Sequence, residues 1–175
     1  MPTQSHQTNS PLKNWRRSSL RSMARRIEVR VVTDSRITAV LDTNVLISAL
    51  VFGGQLSPLV DMMSEGRLRI FLSKQLLQEL ARVLSDPKIS RVLSRRRLTA
   101  ESIIRAVVEQ AAIVVAKPFD EIVITADPTD DAVLACADTA RVGWIVSGNV
   151  HLTDLIEFRG IPIVTPAQFL ERHIL

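Results

Sequence analysis

The chain has 175 residues, 46% of them apolar and 23% charged, enough to bury one substantial core in a single domain or in a domain with a tail. Six Gly and eight Pro exclude a collagen-like or low-complexity chain, and a single cysteine, Cys136, excludes an internal disulfide, a thiolate metal cage and CxxC redox chemistry, which fits a reducing, cytoplasmic compartment. The net charge of +4 is unevenly placed: residues 1–36 carry eight Lys/Arg against two acids, a net +6, and the other 139 residues carry 14 basic against 16 acidic side chains, a net −2.

The charge divides the chain into a basic leader, 1–35, and a body, 36–175. The first 26 residues are polar, free of acids and without hydrophobic periodicity, so they are expected to form a mobile tail, and they lack the apolar stretch of a secretory signal. Ile27, Val29 and Val31 alternate with Glu28 and Arg30, as in a short strand or an extended arm. The longest nearly continuous apolar run, Val45–Val51 broken only by Ser48, is far shorter than the ~20 residues that span a bilayer, so no membrane partner is expected.

From Ile37 onward, short apolar runs alternate with amphipathic ones. Ile37–Leu41 predicts a parallel strand buried on both faces, followed by a helix over Asn44–Phe52, a Gly53-Gly54 turn and a helix over Ser57–Glu65 stopped by Gly66. Leu68–Leu72 predicts the second strand, and Ser73 caps a helix over Lys74–Ser85 that ends before Pro87. Helices near Ile89–Leu93 and over Ala100–Ala112, the latter capped by Thr99, precede a third strand at Ile113–Ala116. Asp127-Pro128-Thr129-Asp130 is a helix start, with Asp at the N-cap, Pro in the first turn and a carboxylate at the third position; that helix runs to Ala140. A strand at Trp144–Ser147, a short helix around Leu152–Phe158, a strand at Ile161–Val164 and a helix from Pro166 complete the pattern. The alternation implies a three-layer α/β/α sandwich on a mainly parallel sheet of about five strands.

Ligands of such folds bind beyond the carboxyl ends of the strands, and the residues there are acids and amides. Asp42 follows the first strand and suits either a cap for the helix beginning at Asn44 or a ligand. In helix 74–85 the apolar stripe is Leu76, Leu77, Leu80, Val83 and Leu84, and Glu79 lies ~40° outside its edge at Val83. In helix 129–140, Asp131 shares a face with Leu134, Ala135 and Asp138, while Val133, Ala137 and Ala140 point the other way; Asp130 is accounted for as a capping-box carboxylate, which leaves Asp131 as the site candidate. Carboxylates from three elements at one end of a sheet repel unless a cation neutralises them, and hard oxygen donors suit Mg²⁺ or Mn²⁺, which would stabilise a phosphodiester transition state.

Five segments together resemble the PIN-domain nucleases, and within them the VapC-like toxins of toxin–antitoxin pairs: LDTNVLISAL (41–50), LSKQLLQELARVL (72–84), DPTDDAVLACA (127–137), IVSGNVHL (145–152) and IPIVTPAQFL (161–170). The resemblance implies a Mg²⁺- or Mn²⁺-dependent endoribonuclease, with Asp42, Glu79 and Asp131 as the catalytic and metal-binding acids and Asn44 and Ser147 as supporting polar neighbours. It also implies an RNA substrate, a homodimer and a cognate antitoxin that occupies the cleft. The chain departs from the family at Ser147-Gly148-Asn149, where many relatives read T/S-G-D, and at His151, where another Asp is often found. Asn149 could still coordinate weakly through its carbonyl oxygen, and His151, Asp127 or Asp138 could supply further contacts. The amide also keeps open a catalytically weak or inactive PIN-like module that binds RNA or an antitoxin.

Other enzyme classes find little here. An aspartyl phosphotransferase needs a second Asp two residues after the first, and position 44 is Asn. No G-x-S-x-G, G-x-G-x-x-G or G-x-x-x-x-G-K-[ST] motif occurs. The Arg95-Arg96-Arg97 run reads as a solvated loop, without interleaved aromatics for base stacking.

Overall fold

The computed structural model describes residues 36–117, 119 and 128–174; the basic leader with its Ile27–Val32 segment, and Asp127, lie outside the described residues. The run ITAVL forms strand β1 (Ile37–Leu41), in which Ala39, Val40 and Leu41 are all buried. Successive strand residues face opposite sides of a sheet, so three buried in a row mean that helices cover both faces, as a central parallel strand requires. With β2 (Leu68–Ser73), β3 (Ala111–Val114), β4 (Trp144–Val146), β5 (Glu157–Phe158) and β6 (Ile161–Val164) it forms a six-stranded sheet in the order β3-β2-β1-β4-β6-β5. All neighbouring pairs are parallel except β5 with β6.

The connections are helical. After β1, helix α1 (Thr43–Ile47) passes into a π-helical turn over Ser48–Phe52, closed by the Gly53 N–H donating to the Ser48 carbonyl at 2.9 Å. Gly53 and Gly54 take φ of +65° and +63°, a region that L side chains rarely enter, and so turn the chain into a 3₁₀ turn (Gly54–Leu56) and α2 (Ser57–Ser64). Helix α3 (Lys74–Leu84) starts where the Ser73 hydroxyl accepts the Leu76 N–H, and α4 (Pro87–Arg95) follows. Helix α5 (Ala100–Gln110) carries a reciprocal Thr99–Ser102 capping box. Helices α6 (Pro128–Ala140), α7 (Val150–Thr153) and α8 (Pro166–Ile174) complete the fold. No described single helix is long and apolar enough to cross a membrane.

Several local expectations change. Helix α5 stops at Gln110 rather than Ala112, and β3 covers Ala111–Val114 rather than Ile113–Ala116, because Ala111 and Ala112 pair in the ladder with Ile70 and Phe71 of β2, and tertiary hydrogen bonding outweighs alanine's helix propensity. The helix expected over Leu152–Phe158 is only Val150–Thr153; Glu157 and Phe158 instead fold back onto Pro162 and Ile161 through Arg159-Gly160, both at positive φ, in a two-residue hairpin. This adds the sixth, antiparallel strand. Arg159 secures that hairpin: its guanidinium lies 5.2 Å from the ring centre of Phe119 and 5.3 Å from that of Phe158, and donates to Asp138 on α6 at 2.6 Å.

The core forms where α6 lies across the central strands and against α3. Leu76, Leu80 and Leu84 of α3 are buried at helical spacing, as are Val133, Leu134 and Ala137 of α6. Each such leucine contributes about 1.5–3 kcal/mol by leaving water. On α8, Phe169 meets Trp144 nearly edge-on at 6.1 Å between ring centres.

Cys136 on α6 is fully buried, and burial pushes its thiol up to about 12, only partly offset by a hydrogen bond with the Ser73 backbone. The folded protein should therefore resist iodoacetamide at pH 8.5 and take up one equivalent only in denaturant; rapid labelling of the folded state would contradict this burial. The unfolded thiol ionises near 8.5, so this group's contribution to stability is complete below that pH and is lost as the pH rises toward about 12.

Candidate active site

From β1 the sheet grows outward through β2 and β3 on one side and through β4 and β6 on the other. At such a switch point the chain leaves two adjacent strands in opposite directions, and a crevice opens beyond their carboxyl ends. Asp42 and Ser147 are the first residues past β1 and β4, which run in register with Leu41 opposite Val146. The Asp42 N–H donates to the Val146 carbonyl at 2.9 Å, which continues the ladder one residue beyond the strand. The Ser147 hydroxyl then donates to Asp42 Oδ2 at 2.6 Å across 105 residues of sequence.

The Asp42 carboxylate, only 8% exposed, divides its oxygens between two tasks. Oδ1 accepts the Asn44 N–H at 3.1 Å and caps α1, while Oδ2 takes the Ser147 bond. Cap and site residue are thus one and the same group. Ser147 Oγ in turn accepts the Asn149 N–H at 2.9 Å, which sets the course of the loop into α7. Asn149 Oδ1 accepts the His151 N–H at 3.0 Å, and Nδ2 donates to both carboxylate oxygens of Asp130 at 2.9 and 3.0 Å. Those partners determine the amide's orientation, since the reverse would set two N–H groups against each other and an oxygen against a carboxylate.

Asp42, Asn44, Glu79, Asp130 and Asn149 line one cleft of about 470 Å³, together with Thr43, Gln75, Leu76, Arg82, Thr129 and Val133, among others. A second lobe of about 380 Å³ shares Asp42, Asn44 and Asn149 and continues past Ser48, Leu56, Gly148 and Pro166. On the α3 wall, Glu79 accepts from Arg82 Nε at 2.8 Å and Nη2 at 2.6 Å, in a two-pronged pair one helical turn apart.

The third acid differs from the expected one. Asp130, 4% exposed, enters the cleft; Asp131 is half-buried and is not among the lining residues. Asp130, Val133 and Ala137 share a helical face, and Val133 lines the cleft with Asp130. That stripe is the signal in the sequence, and the capping pattern around Asp130 masks it. Asp138 is taken up by Arg159, away from the cleft, and His151 is exposed and does not line it. Ser147 is fully buried behind Asp42 as a support. The role of Asn149 also changes: its carbonyl oxygen caps α7 rather than facing the cleft as a ligand. Gln75, Arg82 and Thr129 were not singled out in the sequence. The Arg95–Arg97 run is exposed at the end of α4 and takes no part in the cleft.

The donor set suits a hard divalent cation, since three carboxylates from three separate segments line one cleft. Among the described residues, however, no three His, Cys, Asp or Glu side chains converge on a common point. Each carboxylate leans on its own partner: Asp42 on Ser147, Asp130 on Asn149 and Glu79 on Arg82.

The family model for the PIN domain matches residues 38–151. Among solved structures, VapBC2 from Rickettsia felis, bound to a DNA fragment from its promoter, superposes with a TM-score of 0.51 at 12% identity, covering 74% of this chain and 98% of that one. PAE2754 from Pyrobaculum aerophilum superposes with a TM-score of 0.50 at 16% identity, covering 78% and 94%. No curated relative matches the sequence. At these identities the structural likenesses speak to the fold.

The contact between Asn149 and Asp130 makes a testable point. In Asn149→Asp, two carboxylates would face each other where an amide now donates, so in EDTA the melting temperature should fall by about 5 °C and recover on adding Mn²⁺. An unchanged melting temperature, or a loss that Mn²⁺ does not restore, would show that the amide does not stand in for a cation.

Proposed function

The chain belongs to the PIN-domain family, whose members are generally nucleases, and on that footing we propose that it is a Mg²⁺- or Mn²⁺-dependent endoribonuclease, the toxin of a toxin–antitoxin pair. The observation that carries this reading is that Asp42, Glu79 and Asp130 line one cleft at the β1–β4 switch point. These three side chains would hold the ion, with Asp130 in the place first assigned to Asp131. The ion would supply the positive charge that lets an acidic cleft accept a phosphodiester, and would acidify the attacking water.

The chain's own groups do the rest. Ser147 holds Oδ2 of Asp42, and the Asn44 N–H holds Oδ1, so the carboxylate is fixed before substrate arrives. Asn149 fixes Asp130 in the same way. Leu76, Val83 and Val133 give the cleft apolar walls that strengthen the electrostatics within it. A homodimer and an antitoxin partner belong to this reading; the likeness in fold to a VapBC complex favours the antitoxin. A second reading, a PIN module that binds without cutting, draws on Asn149: an amide stands where relatives place an acid, and it removes one negative charge from the cleft.

The test is RNA cleavage by the purified protein on single-stranded and structured RNA in Mg²⁺ or Mn²⁺. The wild type should cut, Asp42→Asn and Asp130→Asn should each lose about 100-fold or more, and Asp131→Asn should stay within about threefold of wild type. No cutting in either ion would favour the binding module, and a loss in Asp131→Asn as deep as in Asp130→Asn would return the third acid to Asp131.

A further inference from the structure

Arg82 is the single basic residue among the described residues lining either lobe of the cleft, against three carboxylates. Its position has two aspects. Toward the protein, Nε and Nη2 grip both oxygens of Glu79, whose side chain is 18% exposed; the Arg82 side chain itself is 73% exposed. A two-pronged guanidinium occupies the carboxylate edge that a hard cation would use, so the two compete for Glu79. The same planar fork matches a phosphate as well as it matches a carboxylate. A polyanion entering a cleft with this charge balance needs a cationic contact, and Arg82 is the one already at its mouth.

From this geometry we infer that Arg82 is a positioning residue that exchanges partners. It neutralises Glu79 while the cleft lacks a divalent cation, yields that carboxylate to the cation, and then binds a phosphate of the RNA backbone. This rests on the cation-dependent reading above and deepens it. It also explains why the three acids do not converge among the described residues: one of them is held on the helix wall by its own neighbour. Arg82 and Glu79 are (i, i+3) partners on one helix, so this pair can open by side-chain rotation about an otherwise fixed α3.

The experiment compares wild type, Arg82→Gln and Arg82→Lys in the full chain, with circular dichroism to show that each is folded. Mn²⁺ affinity is measured by calorimetry, and affinity for a cleavage-resistant, phosphorothioate-linked 12-nucleotide RNA is measured by fluorescence anisotropy across a salt series, in EDTA and in Mn²⁺. Arg82→Gln should bind Mn²⁺ about threefold more tightly than wild type, because a competitor worth an exposed ion pair has gone. In EDTA, wild type and Arg82→Gln should bind the RNA alike; in Mn²⁺ the wild type should bind more tightly, with a salt slope steeper by about 0.7, the value of one single-strand phosphate contact. Arg82→Lys should keep the salt slope and lose most of the competition for Glu79, since an ammonium lacks the fork. Equal Mn²⁺ affinity in wild type and Arg82→Gln overturns the exchange while leaving the nuclease reading intact. So does an RNA-affinity loss of the same size in EDTA and Mn²⁺. A wild type that binds no Mn²⁺ removes both.

Discussion

The site depends on one short hydrogen bond, from the Ser147 hydroxyl to Asp42 Oδ2 at 2.6 Å. It exists because β1 and β4 are neighbours in the sheet and end level with each other, which brings together two residues that lie 105 apart in sequence. A buried carboxylate without donors would be costly to keep ionised, and this one receives an O–H on one oxygen and an N–H on the other. The hydroxyl is fully employed as well, giving its proton to Asp42 and accepting the Asn149 N–H. From there the order passes along the loop to the cap of α7 and, through the Asn149 amide, to Asp130 on α6. Two strands, the loop after β4 and three helices are thereby referred to one carboxylate.

The cleft solves its charge problem by depth. Its two most buried acids, Asp42 and Asp130, receive hydrogen bonds from a serine hydroxyl, a backbone N–H and an amide, neutral donors that do not have to be stripped of a full hydration shell. Glu79, nearer the rim, is met by a guanidinium that remains largely in water. A basic side chain buried beside Asp42 would pay a heavy desolvation cost, and at the rim that cost is small, so the charged side chain sits where it can also let go. The same logic makes the amide at position 149 more than a missing charge. It converts what would be a like-charge contact with Asp130 into two hydrogen bonds, and so holds the inner wall together without any ion.

The periphery relies on other means. The edge hairpin of β5 and β6 is held by Arg159 stacked against Phe119 and Phe158 and paired with Asp138. That contact takes Asp138 out of consideration for the cleft although it lies on the same helix as Asp130, because eight residues are more than two turns of helix and carry the side chain to the other end of α6.

Much of the fold was legible in the chain. β1 and β6 begin and end where the apolar runs do, the caps at Ser73 and Thr99 are as the sequence implies, and the alternation of strand and helix led directly to a parallel sheet. Hydrophobic period, capping side chains and glycine turns are local properties, and local chemistry decides them. Residues whose neighbours are remote were not legible: Ala111 and Ala112 joined a strand because β2 offered them a ladder. The site divides in the same way. Asp42, Ser147 and Asn149 stand out because they follow strands, and Glu79 because it borders an apolar stripe. The choice of Asp130 over Asp131 turned on a helix rotation of about 100°, and tertiary structure sets that rotation by deciding which face of α6 packs on the sheet. Arg82 entered the site for a similar reason: an exposed (i, i+3) ion pair is ordinary on any helix, and it becomes informative only when the fold places it at the mouth of a cleft lined by two other acids.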